Sequence, residues 1–496
     1  MKPFLQRAPL FLFLIPLFFV LHGYSENFGY ISLSSCLLLA VTYGGAASLI
    51  YFIFLRTYKD IIKASLITSY IMFFYLFFGA IMDFLKDHHI RLYKYSILLP
   101  VFFVSLIVIA VYLKRTWHVF YKATLFLNLL MIIYIAVDLA SVGYKIINPK
   151  ANKLAVYSFA NKKNYPVCKE CPKPDIYFLL FDSYTGTKTL KERYNYDNSR
   201  LDSFLLQQGF SIQKKSRSNY FFTAFSMTSA LNMSYIDYVP NVNACTLEDY
   251  EHCINNIKEN EVINILSNHG YDIVNYSVFD LAGNPSKVNQ YFLPLKTKLI
   301  SGNTLGERFI KDLGWIFTFK NFNLFAGNTI YSSLNNNNNI INAVERESEK
   351  RTDHPRFVYA HLYLPHAPYY FDKTGNPKKE AQLFKETAEL PLQAYLDYLP
   401  YAESKVEEVI NTIKNNTNGE AVIIFMSDHA FNNYTLKSDS VYSFQNQNAV
   451  YFPDKDYHLF YDSITNVNQF KVIFNKMFNL NIPLLKDSVI FLRDKK

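Results

Sequence analysis

Two short apolar runs end abruptly on residues that bind metals or move protons. VIIFM (422–426) runs into Ser427, Asp428 and His429, and DIYFLLF (175–181) runs into Asp182 and Ser183. Each has the length and unbroken apolarity of a strand buried on both faces of a parallel sheet. Open sheets of that kind present ligands just beyond the carboxyl ends of their strands. Neighbouring parallel strands would therefore bring Asp182 and Asp428 together despite their separation in sequence. Two carboxylates and a neutral imidazole form a site for one divalent cation, Zn²⁺ or Mn²⁺ by donor type. Taken singly, each polar residue equally well caps a strand or a following helix.

A third element supplies a nucleophile. In NYFFTAFSMTSALNM (219–233) aromatic residues precede Thr223, and Thr, Ser and Ala then dominate a helix start. A hydroxyl there sits where open backbone N–H groups and the helix dipole favour anions. With its pKa lowered by a metal ion it would attack phosphorus or sulfur. The simpler role for Thr223 is a helix N-cap. Two further imidazoles, His361 and His366, occur in HLYLPHAPY (361–369), which overlaps the strand candidate FVYAHLY (357–363).

These residues need a scaffold. After a Lys/Asn/Pro-containing stretch (148–174) the pattern alternates between strands and helices. Leu190 to Gln208 reads as one amphipathic helix stopped by Gly209. A helix near 260–268 precedes the run YDIVNYSVF (271–279). Tyr401 to Lys414 carries Val406, Val409, Ile410 and Ile413 at helical spacing, ahead of AVIIFM (421–426). The alternation predicts an α/β domain over 174–496, with a mostly parallel sheet flanked by helices. Asn335 to Asn339 reads as a surface loop without chemistry.

The N-terminal third differs in kind. Residues 8–24, 30–55, 64–82 and 95–113 carry no Asp, Glu, Lys or Arg, and 119–140 has Lys122 and Asp138 near its ends. A bilayer span needs roughly 20 apolar residues, so five transmembrane helices are expected in residues 1–145, with a linker over 146–173. No small-x-small cleavage pattern follows Leu21, and further spans come after it, so the first run reads as an uncleaved anchor. With a cytoplasmic N-terminus, the inner segments hold Lys2, Arg7, Arg56, Lys59, Lys63, Lys114, Arg115 and Lys122. The outer ones hold Lys86, Arg91, Lys94, Lys145 and Lys150. That bias places everything after about residue 145 outside the cytoplasm.

The net charge of +9 is concentrated there too, because residues 1–150 contain 13 Lys+Arg against 5 Asp+Glu. These cations serve topology and an anionic inner leaflet. The remainder is nearly balanced and has no basic tract, which excludes nucleic acid as a partner. Four of the five cysteines, Cys168, Cys171, Cys245 and Cys253, fall in the external part. Two disulfides are expected, with a zinc half-site at Cys168-Lys-Glu-Cys171 as the rival.

Together PDIYFLLFDSY, SNYFFTAFSMTSALNM, HLYLPHAPY, and FMSDHA followed by NAVYFPDKDY resemble the alkaline phosphatase superfamily on its sulfatase-like branch, over most of 174–490. The resemblance implies Asp182, Asp428 and His429 as ligands of one divalent metal, with Thr223 as a nucleophile that also touches it. His361 and His366 become contacts to the transferred group or the leaving oxygen. Sulfatases, however, make a formylglycine within C/S-x-P-x-R, whereas this chain reads Thr223-Ala-Phe-Ser226-Met. Threonine cannot become that aldehyde. A threonine with an Asp/Asp/His metal set is instead similar to membrane phosphoethanolamine transferases and lipoteichoic-acid synthases, which place an external catalytic domain behind about five spans. The expected activity is therefore a metal-dependent phosphotransferase in the cytoplasmic (inner) membrane. It would move a phospho-linked head group from a membrane lipid to an envelope glycan or lipid. The alternatives are a hydrolase of sulfuric or phosphoric esters and a catalytically inactive envelope binding protein.

Overall fold

The computed structural model describes residues 2–28, 31–88, 90–148, 165–237, 239, 241–288, 297–309, 331–379, 382–383, 386, 391–432 and 441–493. They form two compact units, one of N-terminal helices and one α/β.

Among the described residues of the first unit four helices are long and apolar enough to cross a membrane: Leu33–Tyr58, Ile61–Asp87, Tyr95–Arg115 and Tyr121–Ile147. The first expected span is shorter. Pro9 separates a turn of helix, Lys2–Arg7, from Phe11–Glu26, whose 16 residues reach about 24 Å. The backbone groups left open at this break are satisfied by one buried side chain. Asn128 Nδ2 donates to the carbonyls of Leu5 (2.8 Å) and Ala8 (2.7 Å), and its Oδ1 accepts from Phe11 N at 2.8 Å. The run at 119–140, the one with charges near its ends, instead belongs to a long helix that continues past Asp138. That carboxylate is buried, and one of its oxygens lies 3.1 Å from His22 Nδ1, a polar partner of the kind that ionisable groups in such helices take.

Residues 297–309 pack with this helical unit, although the sequence pattern assigned them to the α/β domain. Ile300 is buried among Phe11, Ile15 and Leu76. Asn303 O accepts from Gly79 N at 2.7 Å, an approach that a Cβ at position 79 would block.

The second unit is built on a six-stranded sheet of order β2-β6-β5-β1-β4-β3. The strands are β1 (Ile176–Phe181), β2 (Ser211–Ile212), β3 (Asp272–Tyr276), β4 (Arg356–Leu362), β5 (Val422–Met426) and β6 (Asn448–Tyr451). β3, β4, β1 and β5 are parallel, while β6 and β2 add an antiparallel edge, so the sheet is mixed. Alternate residues of β1 and β5 feed two different cores. Tyr177, Leu179, Phe181, Ile423 and Phe425 meet the helices Ser199–Gln207, Ser332–Glu349 and Pro391–Asn416. Ile176, Phe178, Leu180, Ile424 and Met426 meet Thr223–Asn232, Glu261–Asn268 and Asn466–Phe478. Both faces are covered, which is why the strands are continuously apolar rather than alternating.

Three local expectations are corrected. The helix expected over Leu190 to Gln208 is two, Thr187–Tyr194 and Ser199–Gln207, divided where Asn195 takes a left-handed φ of 53°. The asparagine run lies inside helix Ser332–Glu349, not in a loop. Only one disulfide forms among the described residues, Cys168–Cys171. Cys245 and Cys253 are thiols, buried as small apolar groups among Tyr220, Phe222 and Phe225.

Candidate metal and nucleophile site

β1 and β5 are direct neighbours, in register Leu180 to Met426, so both chains leave the sheet at one rim. Asp182 continues the ladder by donating its N–H to Leu362 O at 2.9 Å, and Ser183 then turns with a left-handed φ of 66°. That turn aims Ser183 N at Asp428 Oδ1 (3.1 Å) and its hydroxyl at Asp182 Oδ1 (3.1 Å). Ser427 fixes the other chain, accepting from Tyr184 N at 2.8 Å and donating to His429 O at 2.5 Å. Ligand atoms of Asp182, Asp428 and His429 consequently lie within 4.8 Å of one another, and all three residues are buried.

The electrostatics of this cluster fit a cation. Two carboxylates are fully buried side by side, and among the described residues Asp428 Oδ2 has no hydrogen bond. The nearest groups of opposite potential are imidazoles: His429 Nε2 is 3.2 Å from Asp428 Oδ2, and His361 Nε2 is 3.3 Å from Asp182 Oδ2. Burial opposes ionisation of Asp182, yet His366, His361 and His429 together hold its carboxyl well below the usual carboxylate range. Burial likewise opposes the charge on His429, and Asp428 and Asp182 outweigh it and raise its pKa. Donor types, burial and the orphaned oxygen all suit one divalent ion.

Thr223 is the first residue of its helix, and the N-cap position belongs to Phe222, in extended conformation. Thr223 therefore does not act as the cap. Its half-buried hydroxyl lies 3.4 Å from His429 Nε2. The first helical bond runs from Ser226 N to Phe222 O, so the N–H groups of residues 223–225 precede it at the positive end of the helix dipole.

The two remaining histidines separate. His361 is fully buried on β4 against Asp182. His366 is more open, with Nδ1 2.8 Å from Ala367 O and Nε2 3.3 Å from the Tyr363 hydroxyl, their rings 4.1 Å apart. Tyr363 is held in turn by Asn337, which accepts from Tyr363 N (2.7 Å) and donates to Tyr363 O (3.0 Å). Neither Asn337 nor Tyr363 was singled out from sequence. Tyr395 was also overlooked. Its hydroxyl, on helix Pro391–Asn416, donates to Ser183 O at 3.1 Å and accepts from Thr185 N at 3.0 Å, bracing the turn beside Asp182.

A membrane-anchored α/β protein with this site falls in the sulfatase class of the alkaline phosphatase superfamily. The chain belongs to the sulfatase family, whose model matches residues 218–473, and it is an enzyme of that type. No curated protein matches it. Among solved structures it is similar to the integral membrane lipooligosaccharide phosphoethanolamine transferase A of Neisseria meningitidis. That match has 12% identity over 96% of this chain and 95% of the other, with a TM-score of 0.37. It is also similar to the zinc complex of the C-terminal periplasmic domain of EptC from Escherichia coli (10% identity, 67% and 94% coverage, TM-score 0.40). A third is the putative sulfatase yidJ of Bacteroides fragilis (13% identity, 66% and 78% coverage, TM-score 0.39).

Proposed function

We propose that this enzyme is a membrane phosphotransferase that moves a phospho-linked head group from a lipid to an envelope glycan or lipid acceptor through Thr223. The observation carrying the reading is the Thr223 hydroxyl 3.4 Å from His429 Nε2, beside the buried Asp182–Asp428–His429 cluster. Those three residues would hold one divalent ion, Zn²⁺ or Mn²⁺, facing Thr223. Such an ion supplies positive charge that acidifies a nearby hydroxyl and offsets charge on phosphoryl oxygens.

In the first half-reaction Thr223, its hydroxyl proton already lost to solvent, attacks as the alkoxide: Oγ1 forms a bond to phosphorus, and the bond from phosphorus to the lipid oxygen breaks. The leaving oxygen takes a proton from His366, the more open imidazole. In the second half-reaction an acceptor hydroxyl returns its proton to His366 and bonds to phosphorus, and the bond from phosphorus to Oγ1 breaks, releasing Thr223 as the alkoxide it began as. His361 keeps Asp182 oriented throughout. Sulfate-ester chemistry by the formylglycine route is disfavoured, because position 223 carries a threonine.

Residues 1–145 serve as the membrane anchor and 174–496, apart from 297–309, as the catalytic domain on the outer face of the cytoplasmic membrane. The mass of the Thr223 peptide, from protein purified out of its own membranes, tests the chemistry. A phospho-linked adduct is expected in the wild type and none in Thr223→Ala. Full turnover of phosphodiesters by Thr223→Ala refutes the mechanism. Soluble esters turned over as fast as lipid substrates favour a hydrolase instead. A reporter fused after residue 150 that is active only in the cytoplasm reverses the topology.

A further inference from the structure

Four buried polar residues behind the site take no part in the proposed chemistry: Ser216, Ser226, Asn446 and Asn466, each no more than 2% exposed. All are engaged around one short piece of backbone. β5 ends at Met426, and the carbonyls of the next two residues, Ser427 and Asp428, are taken by side chains. Ser226 Oγ donates to Asp428 O at 2.6 Å. Asn466 Nδ2 reaches Asp428 O at 3.1 Å, Ser427 O at 3.3 Å and Ser226 Oγ at 3.3 Å. Asn446 Nδ2 donates to Ser427 O at 2.5 Å and to Asn466 Oδ1 at 3.0 Å, and Ser216 Oγ donates to Asn446 Oδ1 at 3.0 Å.

The arrangement joins three elements. Ser226 stands three residues after Thr223, one turn along the same helix. Asn466 opens the C-terminal helix. Asn446 precedes β6. Together these hydrogen bonds set the height of the Thr223 helix against the peptide that carries Asp428 and leads to His429. The distance from the Thr223 hydroxyl to the ligand cluster depends on that height, and both side chains must address the same ion.

We propose that Ser226 and Asn466 are positioning residues that lock the nucleophile helix to the metal-binding turn. This rests on the reading of Asp182, Asp428 and His429 as metal ligands and Thr223 as nucleophile. The lock touches neither substrate nor metal and acts through the backbone of Asp428, so it governs metal affinity and turnover together.

The test uses the full-length chain in detergent, titrated calorimetrically with Zn²⁺ and assayed on bis(4-nitrophenyl) phosphate. Ser226→Ala and Asn466→Ala are expected to weaken Zn²⁺ binding about 10- to 100-fold. They should lower kcat by a comparable factor with KM within about twofold. Ser226→Thr keeps the hydroxyl and is expected to recover Zn²⁺ affinity. Wild-type Zn²⁺ affinity in a folded Ser226→Ala chain overturns the positioning role and leaves the metal reading standing. A wild-type chain that binds no divalent ion overturns both. Should Asn466→Ala fail to fold, Ser226→Ala, which removes a single oxygen, decides the matter alone.

Discussion

Glu403 connects ambient pH to the helix that braces the site. It lies on Pro391–Asn416, two turns beyond Tyr395, is 4% exposed, and accepts a hydrogen bond from the Tyr196 hydroxyl at 2.7 Å. Burial is the main cause that lifts its pKa from 4.5 to about 7, with Glu407 and Asp202 adding repulsion, while Tyr196 and Arg200 pull the other way. A carboxyl whose pKa is raised by folding binds its proton more tightly in the folded state. Its stabilisation is complete below about pH 4.5 and is lost progressively as pH rises towards 7. The difference of about 2.5 pH units corresponds to about 3 kcal/mol at most. Glu403→Gln keeps an oxygen for Tyr196 and removes the titration. The variant should therefore be more stable than wild type by about 1 to 3 kcal/mol at pH 8 and within about 0.5 kcal/mol of it at pH 4.5. Urea unfolding of the full chain in detergent, followed by circular dichroism at both pH values, measures this. A Glu403→Gln chain less stable than wild type at pH 8 would refute the reasoning. It would mean that the ionised carboxylate gains more from Arg200 than burial costs it.

Other perturbations have equally definite outcomes. Asp182→Asn and Asp428→Asn, measured by elemental analysis after dialysis, should each hold far less metal than a wild type near one ion per chain. Retention at wild-type level removes them from the ligand set. Asn337→Leu leaves both backbone groups of Tyr363 without their partner and should cost about 1 to 3 kcal/mol, with lower turnover. Unchanged stability would show that water replaces the amide. Unfolded but unreduced protein should yield three reactive thiols, Cys36, Cys245 and Cys253, and five after reduction. A count of one before reduction would mean that Cys245 and Cys253 are bridged.

The strands that carry Asp182 and Asp428 were legible because burial on both faces demands unbroken apolar runs, and those runs stop where the sheet stops. Strand direction has no such signature: NAVY at β6 is as buried as VIIFM, yet it runs antiparallel. Asn337 was hidden because its partner, the Tyr363 backbone, is 26 residues away. In isolation five consecutive asparagines look like a loop. The break at Pro9 depends on Asn128, on a different helix, and no local pattern reveals that. Residues 297–309 carry no local mark of the unit they pack with, for a similar reason. Ile300 and Leu305 are no more apolar than the core of the α/β unit, and only their neighbours tell the two apart.

That last segment has a practical consequence. The chain leaves the α/β unit after β3, contributes residues 297–309 to the helical unit, and returns before β4. Cutting the protein ahead of residue 165 separates residues 297–309 from the helices they pack with. A polypeptide starting at residue 165 would still carry an apolar strip whose natural cover has been removed, and such strips drive aggregation. Replacing the excursion with a short polar bridge, as well as deleting the N-terminal helices, is the rational route to a well-behaved catalytic fragment.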